Sequence, residues 1–406
     1  METKKLKNIL QENILLIARL TIIILFLTVF LFSLFSLFLK GLHFPQVFPF
    51  LDLKGRLAHI QASRLGIDTY LYRNPFDPFG RVNNKPSISL LFSFTGLGVK
   101  DAIWLGYILI SLFICQSVSL LRKTNLLNLI IGSLCIFNPN VLLAIERCND
   151  DIIIFLFCFG LPYLISKNHF YNSIGIVIVW FLSALKYYPI ALYLIFISKK
   201  LPKLKIYSSL IIFLNILWVS LSFKEILFLK QRLPNADANL FSFSLKELFQ
   251  FGDLSYLLLL LLFFISVLTG YLYLKSEKLT LSDHFLKVSN IDKRYFVIGF
   301  TLLTFSYLTS FNWSYRFVHS IFLLPLILNL LSKSNILSFN FKYQRFLFII
   351  LISLFISNWA SILPIDVALK LKIIFNFIFF SGSSVFGLFV FEDLYYRKNI
   401  ANFSSI

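Results

Sequence analysis

Residues 254–274 read LSYLLLLLLFFISVLTGYLYL, an apolar run that contains no charged side chain. A helix needs about 20 consecutive apolar residues to cross the hydrocarbon core of a bilayer. Runs of this kind recur along the chain, with polar links between them. Because lipid offers the backbone no hydrogen bonds, such spans fold as helices. The pattern predicts an all-α polytopic membrane protein in which residues 1–406 form one transmembrane domain.

The composition supports a lipid environment. Apolar residues make up 58% of the chain and charged residues 14%, whereas soluble domains have roughly 45–50% and 25%. The net charge of +19 would suggest nucleic acid binding in a soluble protein. In a membrane protein, basic side chains hold cytoplasmic links against anionic lipid. We therefore predict the lipid bilayer, and no nucleic acid, as a partner.

The apolar runs suggest how often the chain crosses the membrane. They fall at about 14–39, 102–121, 126–145, 151–166, 173–198, 206–223, 254–274, 295–311, 317–332, 346–364 and 371–391. Run 173–198 contains Lys186 and Pro189 near its middle, a combination that lipid-exposed depth disfavours. We predict a short broken hairpin there, which gives about twelve crossings in all. One long tilted span is the alternative.

The distribution of basic residues predicts the orientation. With the hairpin, both termini and the basic link 199–205 face the cytoplasm, as the positive-inside rule requires. A single span would turn that link outward. The outer side then carries a large first extracytoplasmic loop, 40–101, and a second one, 224–253.

Polar residues gather on the outer side of this topology. The turn 146–151 reads Glu-Arg-Cys-Asn-Asp-Asp, Lys186 lies at the tip of the predicted hairpin, and Arg316 directly precedes run 317–332. Charged residues at membrane depth are costly and usually mark a functional site. In the first loop, apolar residues at 53, 57 and 60 predict a short helix on the membrane surface with Asp52 in or just before its first turn. Asp52 as a mere helix N-cap is the alternative.

The order of these segments resembles the GT-C superfamily of polyprenyl-phosphate-sugar-dependent glycosyltransferases, and within it glycosyltransferase family 87, which is mannosyltransferase-like. The matching segments are Asp52-Leu53 after the first span, Gly66-Ile67-Asp68-Thr69-Tyr70 with Thr69 in place of proline, Glu146–Asp151 with Cys148 in place of glycine, Ala184–Pro189, and Tyr315-Arg316. The resemblance implies transfer of a hexose, with mannose expected, from a polyprenyl-phosphate sugar to a glycolipid or glycan acceptor. It also implies a bacterial plasma (inner) membrane location with the active site on the outer face.

The chemistry of that reaction suggests roles for the polar residues. A carboxylate must take the proton of the acceptor hydroxyl, and we predict Asp52 as this catalytic base, with inversion at the anomeric carbon. Cations must stabilise the leaving phosphate, and Lys186, Arg147 and Arg316 are the candidates. The other candidates for substrate binding are Glu146, Asn149, Asp150, Asp68, Tyr70, Tyr187, Tyr315 and His319.

Each of these assignments has a simpler alternative. Arg316 is also placed for snorkelling to the interface, and Lys186 for pairing with Glu146 or Asp150. Asp68 is typical of a turn, and His319 of a packed polar residue. Tyr187 also fits an interfacial aromatic belt.

Several kinds of cofactor are not indicated. Asp52 is followed by Leu53 rather than by a second acid, so we predict no metal, although many GT-C enzymes use a divalent ion. The four cysteines form no Cys-x-x-Cys motif, and the chain has no glycine-rich nucleotide loop.

Two other functions stay open. A transporter or flippase of lipid-linked sugars should show repeated half-sequences and charges near mid-membrane, and the chain shows no such repeat. A polymerase or ligase of lipid-linked glycans usually has its large loop late in the chain, whereas here the largest comes first.

Overall fold

The computed structural model describes residues 49–69, 73–78, 92–121, 126–165, 169–196, 207, 209–220, 242–251, 255–309, 312–332, 341–360 and 363–396. These residues are almost entirely helical. The α-helices are α1 (Leu51–Arg64), α2 (Ala102–Leu120), α3 (Leu126–Ile136), α4 (Pro139–Arg147), α5 (Asp150–Leu164), α6 (His169–Leu185), α7 (Tyr193–Phe196), α8 (Ser209–Ser220), α9 (Tyr256–Lys275), α10 (Lys278–Leu286), α11 (Asn290–Thr309), α12 (Leu324–Ser332), α13 (Lys342–Trp359) and α14 (Ile365–Tyr396).

Short 3-10 helices and one small ladder complete the described backbone. The 3-10 helices are Val99–Asp101, Tyr188–Leu192, Leu245–Phe251 and Ser314–Leu323. Strands β1 (Ser242–Phe243) and β2 (Asn312–Trp313) pair antiparallel, with Ser242 opposite Trp313. This ladder joins the end of the second predicted loop to the start of the 3-10 helix 314–323.

Several helices suit a bilayer. Four segments, Val99–Leu120, Tyr256–Lys275, Ser314–Leu331 and Asp366–Tyr395, are long and apolar enough to cross a membrane, and a fifth is added if α3 and α4 count as one broken span. This is compatible with the predicted helical membrane protein. The first predicted span, 14–39, and most of loop 224–253 lie outside the described residues, so the number of about twelve crossings stays a prediction.

Two predicted spans are interrupted by breaks. Run 126–145 divides into α3 and α4, which meet at an angle of 51°. Asn138 caps α4 by accepting hydrogen bonds from the backbone N–H groups of Asn140 and Val141, and Pro139 occupies its first turn. The apolar run 126–145 is therefore a bent pair of helices and not one continuous helix. In run 173–198, α6 ends at Leu185 and a 3-10 helix begins at Tyr188, so the break predicted near Lys186 is confirmed.

The innermost described span carries three of the predicted site residues. In Ser314–Leu331, 83% of the apolar window is buried, compared with 22% in α9. It packs against α4 and α11, and the Phe322 ring stacks on Phe155 with the centroids 4.3 Å apart. Tyr315, Arg316 and His319 therefore enter the site from the centre of the bundle.

The helix predicted in the first loop is also present. Leu53, Leu57 and Ile60 form its buried face, and α1 packs against α2 and α4. Its apolar face thus contacts protein, while its position relative to the membrane surface stays a prediction.

Candidate functional site

The turn between α4 and α5 sets the geometry of the site. Cys148 ends α4 in the left-handed conformation at φ 44°, a backbone shape that favours glycine. Asn149 then caps α5 by accepting a hydrogen bond of 3.0 Å from the Asp151 backbone N–H. The Phe50 N–H donates to the Glu146 carbonyl at 2.7 Å, which fixes the start of α1 beside this turn. Burial raises the pKa of the Cys148 thiol well above its usual range.

Asp52 lies against the turn through its carboxylate. Arg147 donates to it from Nε at 3.2 Å and from Nη2 at 3.0 Å, and the Asn149 side-chain amide donates as well. Asp52 is only 7% exposed. Phe50, rather than Asp52, occupies the N-cap position of α1 and no side chain caps that helix end, so the N-cap interpretation of Asp52 is wrong.

A second carboxylate, Asp151, lies at the centre of a hydrogen-bond network. Lys186 Nζ lies 2.6 Å from its Oδ2 and also donates to Asn149 Oδ1 at 2.9 Å. Tyr188 OH donates to the other Asp151 oxygen and lies 2.6 Å from His319 Nε2. Because the Tyr188 proton goes to Asp151, His319 Nε2–H must donate to the Tyr188 oxygen. Asn149 thus links the Asp52 and Asp151 carboxylates.

Asp150 has its own cation. Arg56 of α1 donates to it through Nε at 3.2 Å and Nη2 at 2.5 Å, and both side chains are buried. Parallel bonds of this kind are the strongest arrangement of a guanidinium and a carboxylate. The third guanidinium nitrogen, Arg56 Nη1, is buried and has no hydrogen-bond partner among the described residues.

Two charged residues of the site have no ion pair within the described chain. Arg316 stacks over the Tyr188 ring, with its Cζ 4.4 Å from the ring centroid, and its buried Nε has no hydrogen-bond partner there. The carboxylate of Glu146 makes no hydrogen bond to the described part of the protein, although the residue is only 6% exposed. Lys186 Nζ also lies 5.4 Å from the Tyr315 ring centroid.

These side chains come from distant parts of the sequence and meet at one place. We call them the polar cluster, which consists of Asp52, Arg56, Glu146, Arg147, Asn149, Asp150, Asp151, Lys186, Tyr188, Tyr315, Arg316 and His319.

Three predicted site residues are not placed in it. Tyr187 is 44% exposed and its ring contacts Trp218. Asp68 is exposed, just after Gly66 at φ 74°. Tyr70 lies outside the described residues.

The sequence missed three members of the cluster. Asp151, Tyr188 and Arg56 were not predicted as site residues, and the alternative for Lys186 named Glu146 or Asp150 as its partner instead of Asp151. Asp151 directly follows the predicted site residue Asp150 in the turn, and this position could have identified it as a site residue. Within the described ranges, no group of three His, Cys, Asp or Glu side chains is arranged to hold a metal ion.

Comparison with known proteins adds no assignment. No family model, curated protein or solved structure matches this chain.

Proposed function

We propose that this chain is a GT-C type glycosyltransferase of the plasma membrane, with about twelve crossings and both termini in the cytoplasm. It transfers a hexose, with mannose expected, from a polyprenyl-phosphate sugar to a lipid-linked or envelope glycan acceptor on the outer face. The observation that supports this most is the polar cluster, in which carboxylates and cations from four separate segments meet at the ends of apolar helices.

The charges of the cluster match those of the reaction. The leaving group is a phosphate monoester on a lipid, and its negative charge grows as the bond to the sugar breaks. Fixed cations that face this charge stabilise the transition state. Arg316 is suited to this role because stacking on Tyr188 fixes its plane, while its Nη atoms make no hydrogen bond to the described residues and are not sealed from solvent.

The other charges of the cluster hold it in shape. Lys186 pairs with Asp151, and Arg147 pairs with Asp52. In this proposal both cations contribute to the positive field at the donor phosphate, while the carboxylates fix their positions. In this division of roles the cations supply the positive charge at the phosphate.

The proposal is tested by a transfer assay in membranes with radiolabelled polyprenyl-phosphate mannose and a crude lipid extract as the acceptor. Replacement of Arg316 by Met should reduce transfer at least about 100-fold, which is the usual effect of removing one donor to a developing anion. Arg345→Met is the matched control, since Arg345 is an exposed arginine in the first turn of α13. Transfer at the control rate by a folded Arg316→Met protein would contradict the role of Arg316. A wild-type chain that transfers no sugar from any polyprenyl-phosphate donor would contradict the function.

A further inference from the structure

The pairing of charges within the polar cluster distinguishes one carboxylate from the others. The cluster holds four acids, Asp52, Glu146, Asp150 and Asp151. Three of them have an ion-pair partner: Asp52 pairs with Arg147, Asp150 with Arg56, and Asp151 with Lys186. Glu146 is the acid that remains without an ion pair inside the described part of the protein.

The contacts of Asp52 make it a weak proton acceptor. It accepts two hydrogen bonds from the Arg147 guanidinium and one from Asn149. Hydrogen bonds from a cation stabilise the ionised form of a carboxylate and lower its tendency to take a proton. A substrate hydroxyl would also have to displace these donors before it could reach the Asp52 oxygens. Asp52 is therefore better suited to hold Arg147 and Asn149 in place.

Glu146 is buried to nearly the same degree as Asp52, but within the described residues no donor contacts its carboxylate. Its residue surface is 94% buried, which strengthens a carboxylate as a base because burial disfavours its charged form. Its carboxylate oxygens make no hydrogen bond to the described residues, and they are not among the polar atoms sealed from solvent. Its backbone carbonyl accepts the Phe50 N–H at 2.7 Å, and it directly precedes Arg147, which pairs with Asp52, so Glu146 lies at the same site.

We propose that Glu146, rather than Asp52, is the catalytic base that accepts the proton of the acceptor hydroxyl, and that Asp52 is a positioning residue. This assignment rests on the proposed transferase function. The acceptor O–H bond breaks and its proton goes to a Glu146 oxygen. The acceptor oxygen forms a bond to the anomeric carbon. The bond from that carbon to the phosphate oxygen breaks, and its electron pair leaves with the polyprenyl phosphate.

Reaction with azide distinguishes the loss of a catalytic base from the loss of donor binding or of leaving-group stabilisation. Azide is a nucleophile without a proton to lose, so its attack on the donor gives a glycosyl azide and polyprenyl phosphate without a base. Membranes containing Glu146→Gln should lose transfer to the lipid acceptor by about 10²–10⁴-fold, the usual contribution of a general base. They should form glycosyl azide at the wild-type rate. Asp52→Asn should reduce both reactions by the same factor, since it disturbs Arg147 and the donor site.

Controls separate folding from chemistry. Glu146→Asp keeps a carboxylate and should retain more hydroxyl transfer than Glu146→Gln. Asp283→Asn alters an exposed acid of α10 and should leave both reactions unchanged.

Three results would overturn the assignment. One is full hydroxyl transfer by Glu146→Gln. Another is a selective azide reaction by Asp52→Asn with loss of both reactions in Glu146→Gln. The last is a wild-type chain without transfer, which overturns the proposed function and is recognised because the wild type itself fails.

Discussion

Removing one partner of the buried Lys186–Asp151 ion pair should destabilise the protein strongly. Asp151 is 0% exposed, and the Lys186 side chain is 17% exposed. Removing one partner of a buried pair leaves an uncompensated charge and costs about 3–5 kcal/mol. Asp151 keeps its hydrogen bond from Tyr188 when Lys186 is lost. We therefore expect Lys186→Met to lower the free energy of unfolding by about 3 kcal/mol, at the low end of that range.

The reverse change should be milder. In Asp151→Asn, Lys186 still donates to Asn149 and reaches solvent, so a loss of about 2 kcal/mol is expected. In the double variant both charges of the pair are removed together, so neither leaves the other uncompensated. The double variant should also lose about 2 kcal/mol of unfolding free energy. Because the single losses sum to about 5 kcal/mol, the coupling between the two sites is about 3 kcal/mol, the upper end for contacting residues.

Equilibrium unfolding in mixed micelles of a mild detergent and dodecyl sulfate measures all four proteins. Single losses that add to the double-variant loss within about 0.5 kcal/mol would refute the reasoning, because additivity at that level is the behaviour of independent sites. Additive losses would mean that Lys186 does not neutralise Asp151 in the folded protein.

Two further predictions follow from packing and from thiol chemistry. A Cβ atom at Gly299 would lie 2.9 Å from the backbone oxygen of His319, which cannot swing away, whereas one at Gly160 would have no heavy atom within 4 Å. Gly299→Ala should therefore lower both the melting temperature and sugar transfer in the membrane assay, and Gly160→Ala should lower neither; equal behaviour of the two variants would contradict this packing. Because burial raises the pKa of the Cys148 thiol, little thiolate exists at neutral pH. N-ethylmaleimide should modify Cys148 only after denaturation, whereas a cysteine placed at exposed position 283 by Asp283→Cys should react in native membranes. Mass spectrometry of the alkylated peptides measures both reactions. Modification of Cys148 in native membranes would contradict this prediction.

Sequence patterns predicted those features that depend on neighbours along the chain. Apolar residues at 53, 57 and 60 predicted α1, since a helix brings such positions to one face. Lys186 and Pro189 predicted the break after α6, because lipid does not tolerate that pair in mid-span. The topology predicted from the basic residues placed Lys186, Arg147 and Arg316 on one side of the membrane, and their meeting in the polar cluster is compatible with that placement.

Features that depend on side-chain direction could not be predicted in this way. The bend between α3 and α4 has clear local signals, an Asn cap at 138 followed by Pro139. These signals did not decide the prediction, because the apolar residues on both sides of Asn138 fit one continuous span as well as two helices. The choice of Asp151 by Lys186 follows from the left-handed turn at Cys148, which decides where each acid of the turn points.

The fate of the sugar–phosphate bond tests the central proposal most directly. The purified wild-type protein in liposomes would be given polyprenyl-phosphate mannose with and without the lipid acceptor extract, and mass spectrometry would measure polyprenyl phosphate and glycosylated acceptor. We predict that polyprenyl phosphate appears with the acceptor present and matches the transferred sugar one for one. A donor that crosses the bilayer intact, without release of polyprenyl phosphate, would contradict the transferase account and indicate a transporter.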